Sequence, residues 1–119
     1  MKKDLVSRED IIQLVNTFYD KVKADPLLSP VFADVNWDTH LPLMYSFWEN
    51  AIFYSGGYNG NPLKTHQHIH QVFRLTDEHF AAWLKLFTAT LDEMFKGDKA
   101  SLARQRAISI ATVMQIKIC

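Results

Sequence analysis

The chain has little cysteine and no excess of charge. Its single cysteine, Cys119, excludes an intrachain disulfide framework and a cysteine-based zinc site. Thirteen basic and thirteen acidic side chains balance to a formal net charge of zero, so no charge pattern points to nucleic acid or to an anionic membrane surface. We therefore expect neither nucleic acid nor a membrane as a partner.

Long apolar runs are also missing. The chain starts with charged residues and then becomes amphipathic, without the continuous apolar stretch of a signal peptide or a spanning helix. With 119 residues, the natural prediction is one domain over residues 1–119, which buries roughly two-thirds of its surface. These features predict a cytoplasmic domain with room for one site.

The first helix is predicted over residues 8–24. Ser7 occupies the N-cap position, and apolar residues then recur at helical spacing. Asp25-Pro26 should end this helix, because proline disfavours helical backbone in the residue before it. A short helical turn is expected over 27–32.

The second helix is predicted over residues 39–55, with Asp38 or Thr39 as its cap. Its wide apolar face carries the following residues: Leu41, Met44, Phe47, Trp48, Ala51 and Ile52. A short segment over 63–71 is expected to follow a glycine-rich turn.

Two further helices complete the prediction. Thr76 should cap a strongly periodic helix over residues 77–96, where Gly97 is expected as a left-handed C-terminal cap. A last helix is predicted over 98–117. No strand pattern competes, so the sequence predicts an all-α fold.

Histidines cluster after the glycine-rich turn, at His66, His68 and His70. A polar surface stretch is one interpretation. His66 and His70 would share a helix face and suit zinc, but no further cysteine or His-Glu-x-x-His pattern completes a four-ligand site. Haem iron needs only one axial imidazole and an apolar slot, and aromatic residues make up 13% of the chain. His66 is therefore our candidate iron ligand.

Candidate hydrogen-bond donors lie on the predicted helices. Tyr19 and Trp83 carry O–H and N–H groups that could face a bound ligand, although from spacing alone the default interpretation of each is a core side chain. His40 lies at the start of the second helix, where a solvated residue or a cap is the alternative.

Several stretches together resemble the truncated haemoglobins, and among them the group III bacterial branch. The resemblance covers nearly the whole chain and is carried by Phe18-Tyr19-Asp20-Lys21-Val22, Trp37-Asp38-Thr39-His40, Phe47-Trp48, Tyr58-Asn59-Gly60-Asn61-Pro62-Leu63 before His66, His79-Phe80, Trp83-Leu84 and Leu86-Phe87.

This resemblance implies a two-over-two helical sandwich enclosing haem b, with His66 as the proximal iron ligand. It also implies Tyr19, His40 and Trp83 as distal, ligand-binding residues. The residues expected to line the haem are Phe32, Met44, Phe47 and Leu63.

The leading functional hypothesis is a globin that binds O2 or another diatomic gas. A peroxidase-like or nitric-oxide-consuming redox enzyme would use the same pocket and, lacking a nucleotide-binding glycine motif, would need a separate reductase. A cofactor-free helical sensor or interaction module is the third interpretation.

Overall fold

The computed structural model describes residues 2–33, 35–53 and 76–118, with side chains as far as Thr112. The described residues form four α-helices and one short 3₁₀ helix. These are α1 (Arg8–Ala24), the 3₁₀ helix (Ser29–Phe32), α2 (Trp37–Phe53), α3 (Asp77–Met94) and α4 (Asp98–Ile118). Their β-structure is limited to an isolated bridge between Lys3 and Phe95, so the all-α prediction is confirmed.

Helix α1 has the predicted bounds because local chemistry defines both of its ends. Ser7 is the extended N-cap residue, although its side chain makes no capping hydrogen bond. At the other end, Asp25 is the C-cap, and its Oδ1 accepts hydrogen bonds from the backbone N–H groups of Leu27 and Leu28 at 2.9 and 3.0 Å. The chain therefore turns at once into the 3₁₀ helix, as the Asp-Pro pair predicts.

Helix α2 begins two residues earlier than predicted. The expected cap at Asp38 or Thr39 is wrong, because the Asn36 side chain accepts a hydrogen bond from the Asp38 N–H at 3.1 Å and the Asn36 carbonyl accepts one from the His40 N–H at 2.9 Å. Asparagine is as good a cap as aspartate. The earlier start places Trp37 on the first turn, one turn before His40.

Helix α3 starts after Thr76, as predicted, and its cap is reinforced by a side chain within the helix. Nδ1 of His79 accepts a hydrogen bond from the Thr76 N–H at 3.0 Å. The helix ends at Met94 rather than at residue 96, because Phe95 is extended and pairs with Lys3. Gly97 is therefore not the C-cap of α3.

The four helices pack as a closed cycle in two layers. α1 contacts α2 and α3, while α4 contacts α3 and α2. The fully buried core between them is apolar and includes Ile11, Leu14, Val15, Phe18, Ile52, Phe87, Leu91 and Ala103. None of the described helices has the length and apolar character needed to cross a membrane.

The residues before α1 are hydrogen-bonded to the start of α4. The Asp4 carboxylate accepts hydrogen bonds from the backbone N–H groups of Lys99 (2.9 Å) and Ala100 (2.8 Å), which are the free donors of the first turn of α4. Burial acts to raise the pKa of Asp4, but these hydrogen bonds outweigh it and hold the pKa below its ordinary value. Asp4 is thus a cap from a distant part of the sequence.

Gly97 makes this approach possible. Its φ of +144° is a conformation that side chains rarely adopt, and a Cβ there would lie 2.5 Å from Cγ of Asp4. Nearby, the buried Asp10 carboxylate accepts hydrogen bonds from Nζ of Lys3 at 2.7 Å and from the Val6 N–H at 2.9 Å. We call the assembly of Lys3, Asp4, Asp10 and Gly97 the N-terminal clasp.

Candidate functional site

The structure brings two of the three predicted distal residues together. Tyr19, on the buried face of α1, and His40, on the first turn of α2, have ring centroids 5.2 Å apart at an interplanar angle of 81°. Tyr19 is 5% exposed, and Nε2 of His40 is shielded from solvent. His40 is therefore a half-buried side chain with its Nε2 in the interior, and it is not the cap of α2.

These two rings belong to a group of four, which we call the distal cluster: Tyr19, Phe32, Trp37 and His40. Trp37 contacts each of the other three, with centroid distances of 5.3 Å to Tyr19, 5.5 Å to His40 and 6.0 Å to Phe32. The 3₁₀ helix supplies Phe32, which is itself 5.9 Å from Tyr19. Three consecutive elements thus build one aromatic wall from edge-to-face and stacked rings.

The Tyr19 hydroxyl is the most informative polar group in this wall. Among the described residues, no group forms a hydrogen bond with it, and burial raises the pKa of Tyr19 well above its ordinary value. The Tyr19 side chain is 5% exposed, and its hydroxyl oxygen is not fully enclosed by the chain. The phenol keeps its proton at every physiological pH and is available as a donor to a ligand.

Trp83 lies in a second aromatic group beside the first. This group, the inner stack, comprises Phe18, Trp48, Trp83 and Phe87. Phe87 is stacked on Trp83 at 5.8 Å and on Trp48 at 4.6 Å. Phe18 contacts Trp83 edge-on at 5.8 Å and Tyr19 at 4.9 Å. Phe18 therefore lies between Trp83 and Tyr19 and contacts both. Trp83 is half-buried.

The remaining predicted pocket residues divide into two sets. Phe32 is buried, and Met44 and Phe47 on α2 are half-buried against the core. Leu63 and His66 lie outside the described residues, as do the predicted segment 63–71 and the neighbouring histidines. The described part of the predicted site is thus the side that the resemblance assigns as distal.

Sequence reasoning assigned no role to Trp37, although the signal was present. Trp37 and His40 are three residues apart on a helix, so their side chains share a face. On the outer side of Trp37, Nζ of Lys23 lies 4.4 Å from the ring centroid, a cation–π contact between α1 and α2. A second link between these helices, the hydrogen bond from the Tyr45 hydroxyl to Oδ1 of Asn16, was also missed.

The donor set of this wall fits a haem. It offers flat apolar rings together with uncharged donors, and the charged Lys23 lies on the exposed outer side. A porphyrin requires apolar, aromatic walls, and a gas bound at its iron is stabilised by a neutral hydrogen-bond donor. Phe32, Met44 and Phe47 could line such a group, and Tyr19 and His40 face the same interior.

Comparisons with known proteins agree with this geometry. The model of the bacterial-like globin family matches residues 4–118. The chain is 33% identical to the group 3 truncated hemoglobin ctb of Campylobacter jejuni over 97% of this chain and 93% of that protein. It is 29% identical to the group 2 truncated hemoglobin YjbI of Bacillus subtilis over 76% of this chain and 69% of the other.

The fold is also shared with solved structures. The crystal structure of the group III truncated hemoglobin from Campylobacter jejuni superposes with a TM-score of 0.88 at 32% identity, covering 100% of this chain and 96% of that one. THB1 of Chlamydomonas reinhardtii superposes with a TM-score of 0.73 at 21% identity over 91% and 89% of the two chains, which extends the likeness of fold. The family supports haem binding by this chain. The chain belongs to the bacterial-like globins, in the group III branch of the truncated haemoglobins.

Proposed function

We propose that this globin holds haem b through His66 and binds O2 or another diatomic gas, with Tyr19 as the principal hydrogen-bond donor to the bound gas. The observation that carries the proposal is the protonated hydroxyl of the buried Tyr19 side chain, which forms no hydrogen bond within the described part of the chain. Membership of the globin family supports the cofactor.

Tyr19 can discriminate between ligands by charge. A haem, when bound, would supply the metal for a diatomic gas, and Tyr19 would favour O2 over carbon monoxide because O2 would draw more negative charge there. An O–H donor held in a low-dielectric wall stabilises that charge more than it would in water. Because the pKa of Tyr19 is raised by burial, the donor persists across the physiological pH range.

His40 and Trp83 have secondary roles in this proposal. His40 lies edge-to-face against Tyr19 and either donates a second hydrogen bond or controls access to the pocket. Trp83 approaches the same region from α3 through its contact with Phe18. The surrounding residues Phe32, Met44 and Phe47 exclude water and so strengthen each polar interaction, and Leu63 stays a predicted member of this lining.

The absorption spectrum of a His66→Ala variant tests the axial ligand. Wild-type protein should show a Soret band with ferric, ferrous and carbonmonoxy forms, and His66→Ala should lose stable haem binding because no axial imidazole remains. His68→Ala is the matched control, since it removes an equivalent imidazole two residues away. Unchanged haem content in His66→Ala, or loss of haem in His68→Ala instead, would overturn the assignment of His66.

Turnover measurements decide between a gas-binding globin and a redox enzyme. A carrier shows saturable binding without multiple turnovers, whereas sustained consumption of peroxide or nitric oxide with a supplied electron donor would favour the enzyme and a separate reductase as partner. A cytoplasmic location remains a prediction from the sequence, which carries one cysteine.

A further inference from the structure

Trp37 occupies the centre of the distal cluster without offering an obvious donor role itself. Its ring contacts both Tyr19 and His40 edge-to-face, at interplanar angles of 60° and 84°. It is also stacked on Phe32 at 25°. A ring held by three neighbours from three elements limits the rotamers that each neighbour can adopt.

Two side chains of helix α1 contact Trp37. Tyr19 and Lys23 are four residues apart on α1, so both side chains project from the same face towards α2. The Tyr19 ring lies against Trp37 on the interior side, and Nζ of Lys23 lies 4.4 Å from the centroid of the Trp37 ring. Lys23 is exposed and Trp37 is half-buried, so this contact forms the outer boundary of the distal cluster.

We propose that Trp37 is the positioning residue for the distal donors, and that Lys23 holds it in place from the solvent side. This inference rests on the proposed function, because it assigns Trp37 the task of orienting Tyr19 and His40 toward a bound gas. Trp37 does not touch the gas. It fixes the direction of the Tyr19 O–H and the position of the imidazole, and displacement of such groups by about 1 Å is enough to lose much of their effect.

The position of Trp37 distinguishes this role from that of core filling. Buried core rings such as Phe18 and Phe87 are 1% and 0% exposed, and although Phe18 also contacts Tyr19, their main contribution is to stability. Trp37 is instead partly open to solvent and contacts the two polar members of the cluster. Its removal should therefore alter the pocket more than it alters the fold.

Two substitutions at Trp37 test the proposal in the haem-loaded protein. Trp37→Leu removes the ring, and we expect O2 dissociation to become roughly tenfold faster because the donors lose their fixed orientation. In the infrared spectrum of the carbonmonoxy form, the C–O stretching band should shift, split or broaden relative to wild type, since this band reports the local field of the donors. Trp37→Phe keeps an aromatic face. It should therefore keep the wild-type C–O band and an O2 dissociation rate within about twofold of the wild-type rate.

A pair of lysine variants tests the outer contact. Lys23→Met should accelerate O2 dissociation by up to about two- to fivefold, the equivalent of losing one exposed cation–π contact. Lys21→Met is the matched control, because Lys21 lies on the same helix but pairs with Glu93. It removes the same charge and should leave both the dissociation rate and the C–O band unchanged.

The outcomes separate this inference from the proposed function. If Tyr19→Phe accelerates O2 dissociation while Trp37→Leu leaves the rate and the C–O band unchanged, the positioning role is wrong and the donor role stands. If Tyr19→Phe has no effect on dissociation, the donor role itself is wrong. If Trp37→Leu and Trp37→Phe change the rate equally, ring contacts do not position the donors and the inference also fails.

Discussion

The distal cluster and the N-terminal clasp both bury polar side chains, but they treat them in opposite ways. In the clasp, the Asp4 carboxylate accepts hydrogen bonds from the N–H groups of Leu5, Lys99 and Ala100. In the distal cluster, the Tyr19 hydroxyl forms no hydrogen bond with any described residue. The clasp satisfies its carboxylate with backbone N–H groups of the chain. The distal cluster leaves the Tyr19 hydroxyl without a hydrogen-bond partner among the described residues.

This difference shows how burial should be interpreted in a small domain. A buried polar group that is satisfied by backbone donors contributes to stability, and its removal leaves those donors without a partner. A hydroxyl on a buried side chain with no partner among the described residues is free to bind a ligand under our proposal, so its removal should affect ligand binding more than stability. Stability and ligand binding should therefore respond separately to substitutions in the two regions.

Gly97→Ala should produce the largest effect, confined to the clasp. The added Cβ would lie 2.5 Å from Cγ and 2.7 Å from Oδ2 of Asp4, and alanine would be strained at a φ of +144°. We expect the free energy of unfolding to fall by about 2–4 kcal/mol, with O2 dissociation unchanged. Denaturant titration measures the loss.

A double-mutant cycle checks the cause of that loss. In an Asp4→Ala background two of the three close contacts are absent, so Gly97→Ala should cost less there, by about 1 kcal/mol. Equal costs in both backgrounds would show that the close approach to Asp4 is not the reason for glycine.

Tyr19→Phe should affect ligand binding with little effect on stability. O2 dissociation should become roughly 10- to 100-fold faster, the range expected on losing a hydrogen bond to a charged acceptor. The free energy of unfolding should change by less than about 1 kcal/mol, because no partner within the described residues is left unsatisfied. Stopped-flow displacement of O2 gives the rate.

Tyr45→Phe provides the matched comparison, since the Tyr45 hydroxyl does have a protein partner in Asn16. We expect a loss of about 1 kcal/mol in the free energy of unfolding and no change in O2 dissociation. If the two tyrosine variants behaved alike in both measurements, the distinction between the two kinds of polar group would not hold.

Asp4→Asn should produce a smaller loss of stability. Asparagine keeps one acceptor oxygen but loses the other, along with the charge near the start of α4, so we expect a loss of about 1 kcal/mol in the free energy of unfolding. Asp98→Asn removes the same charge from an exposed position in the first turn of α4 and should cost only a few tenths of a kcal/mol. Comparable losses in the two variants would mean that Asp4 stabilises the start of α4 through its charge and not through its hydrogen bonds.

The pH dependence of stability sharpens the comparison further. Burial acts to raise the pKa values of Asp4 and Asp10, but hydrogen bonds outweigh it and lower both below the ordinary value of 3.8. The unfolded chain therefore binds more protons than the folded chain in this range. The stabilisation is complete above about pH 5 and is lost as the pH falls through the lowered values.

Acid unfolding of a double variant measures this contribution. Asp4→Asn together with Asp10→Asn should flatten the decline of the free energy of unfolding with falling pH. An unaltered decline would place the responsible carboxylates elsewhere in the chain.

The sequence predicted those features that depend on neighbouring residues. Helix α1 has the predicted bounds because its periodicity and the Asp25-Pro26 ending are both local signals. The start of α2 was wrong by two residues because an adjacent asparagine competed for the cap. Tyr19 and His40 were named as pocket residues, and the structure places their rings together, although their roles remain predictions.

The features that escaped prediction depend on contacts between distant residues. Gly97 was interpreted as the C-cap of α3, but its role is defined by Asp4, which no local pattern connects to it. Lys23 and Trp37 similarly lie on different helices, and their contact depends on how α1 crosses α2. Local rules give the elements, whereas the partner of a side chain on another element requires the packed structure.

The span of the clasp has a consequence for the order of folding. Asp4 and Lys99 are separated by 95 residues, so their hydrogen bond closes a loop that contains α1, α2 and α3. Long-range contacts of this kind form late, because the entropy of closing a large loop must be offset by contacts already made. During synthesis the residues before α1 leave the ribosome before α4 does. The Asp4 carboxylate therefore cannot bind the N–H groups of Lys99 and Ala100 until the start of α4 has also emerged.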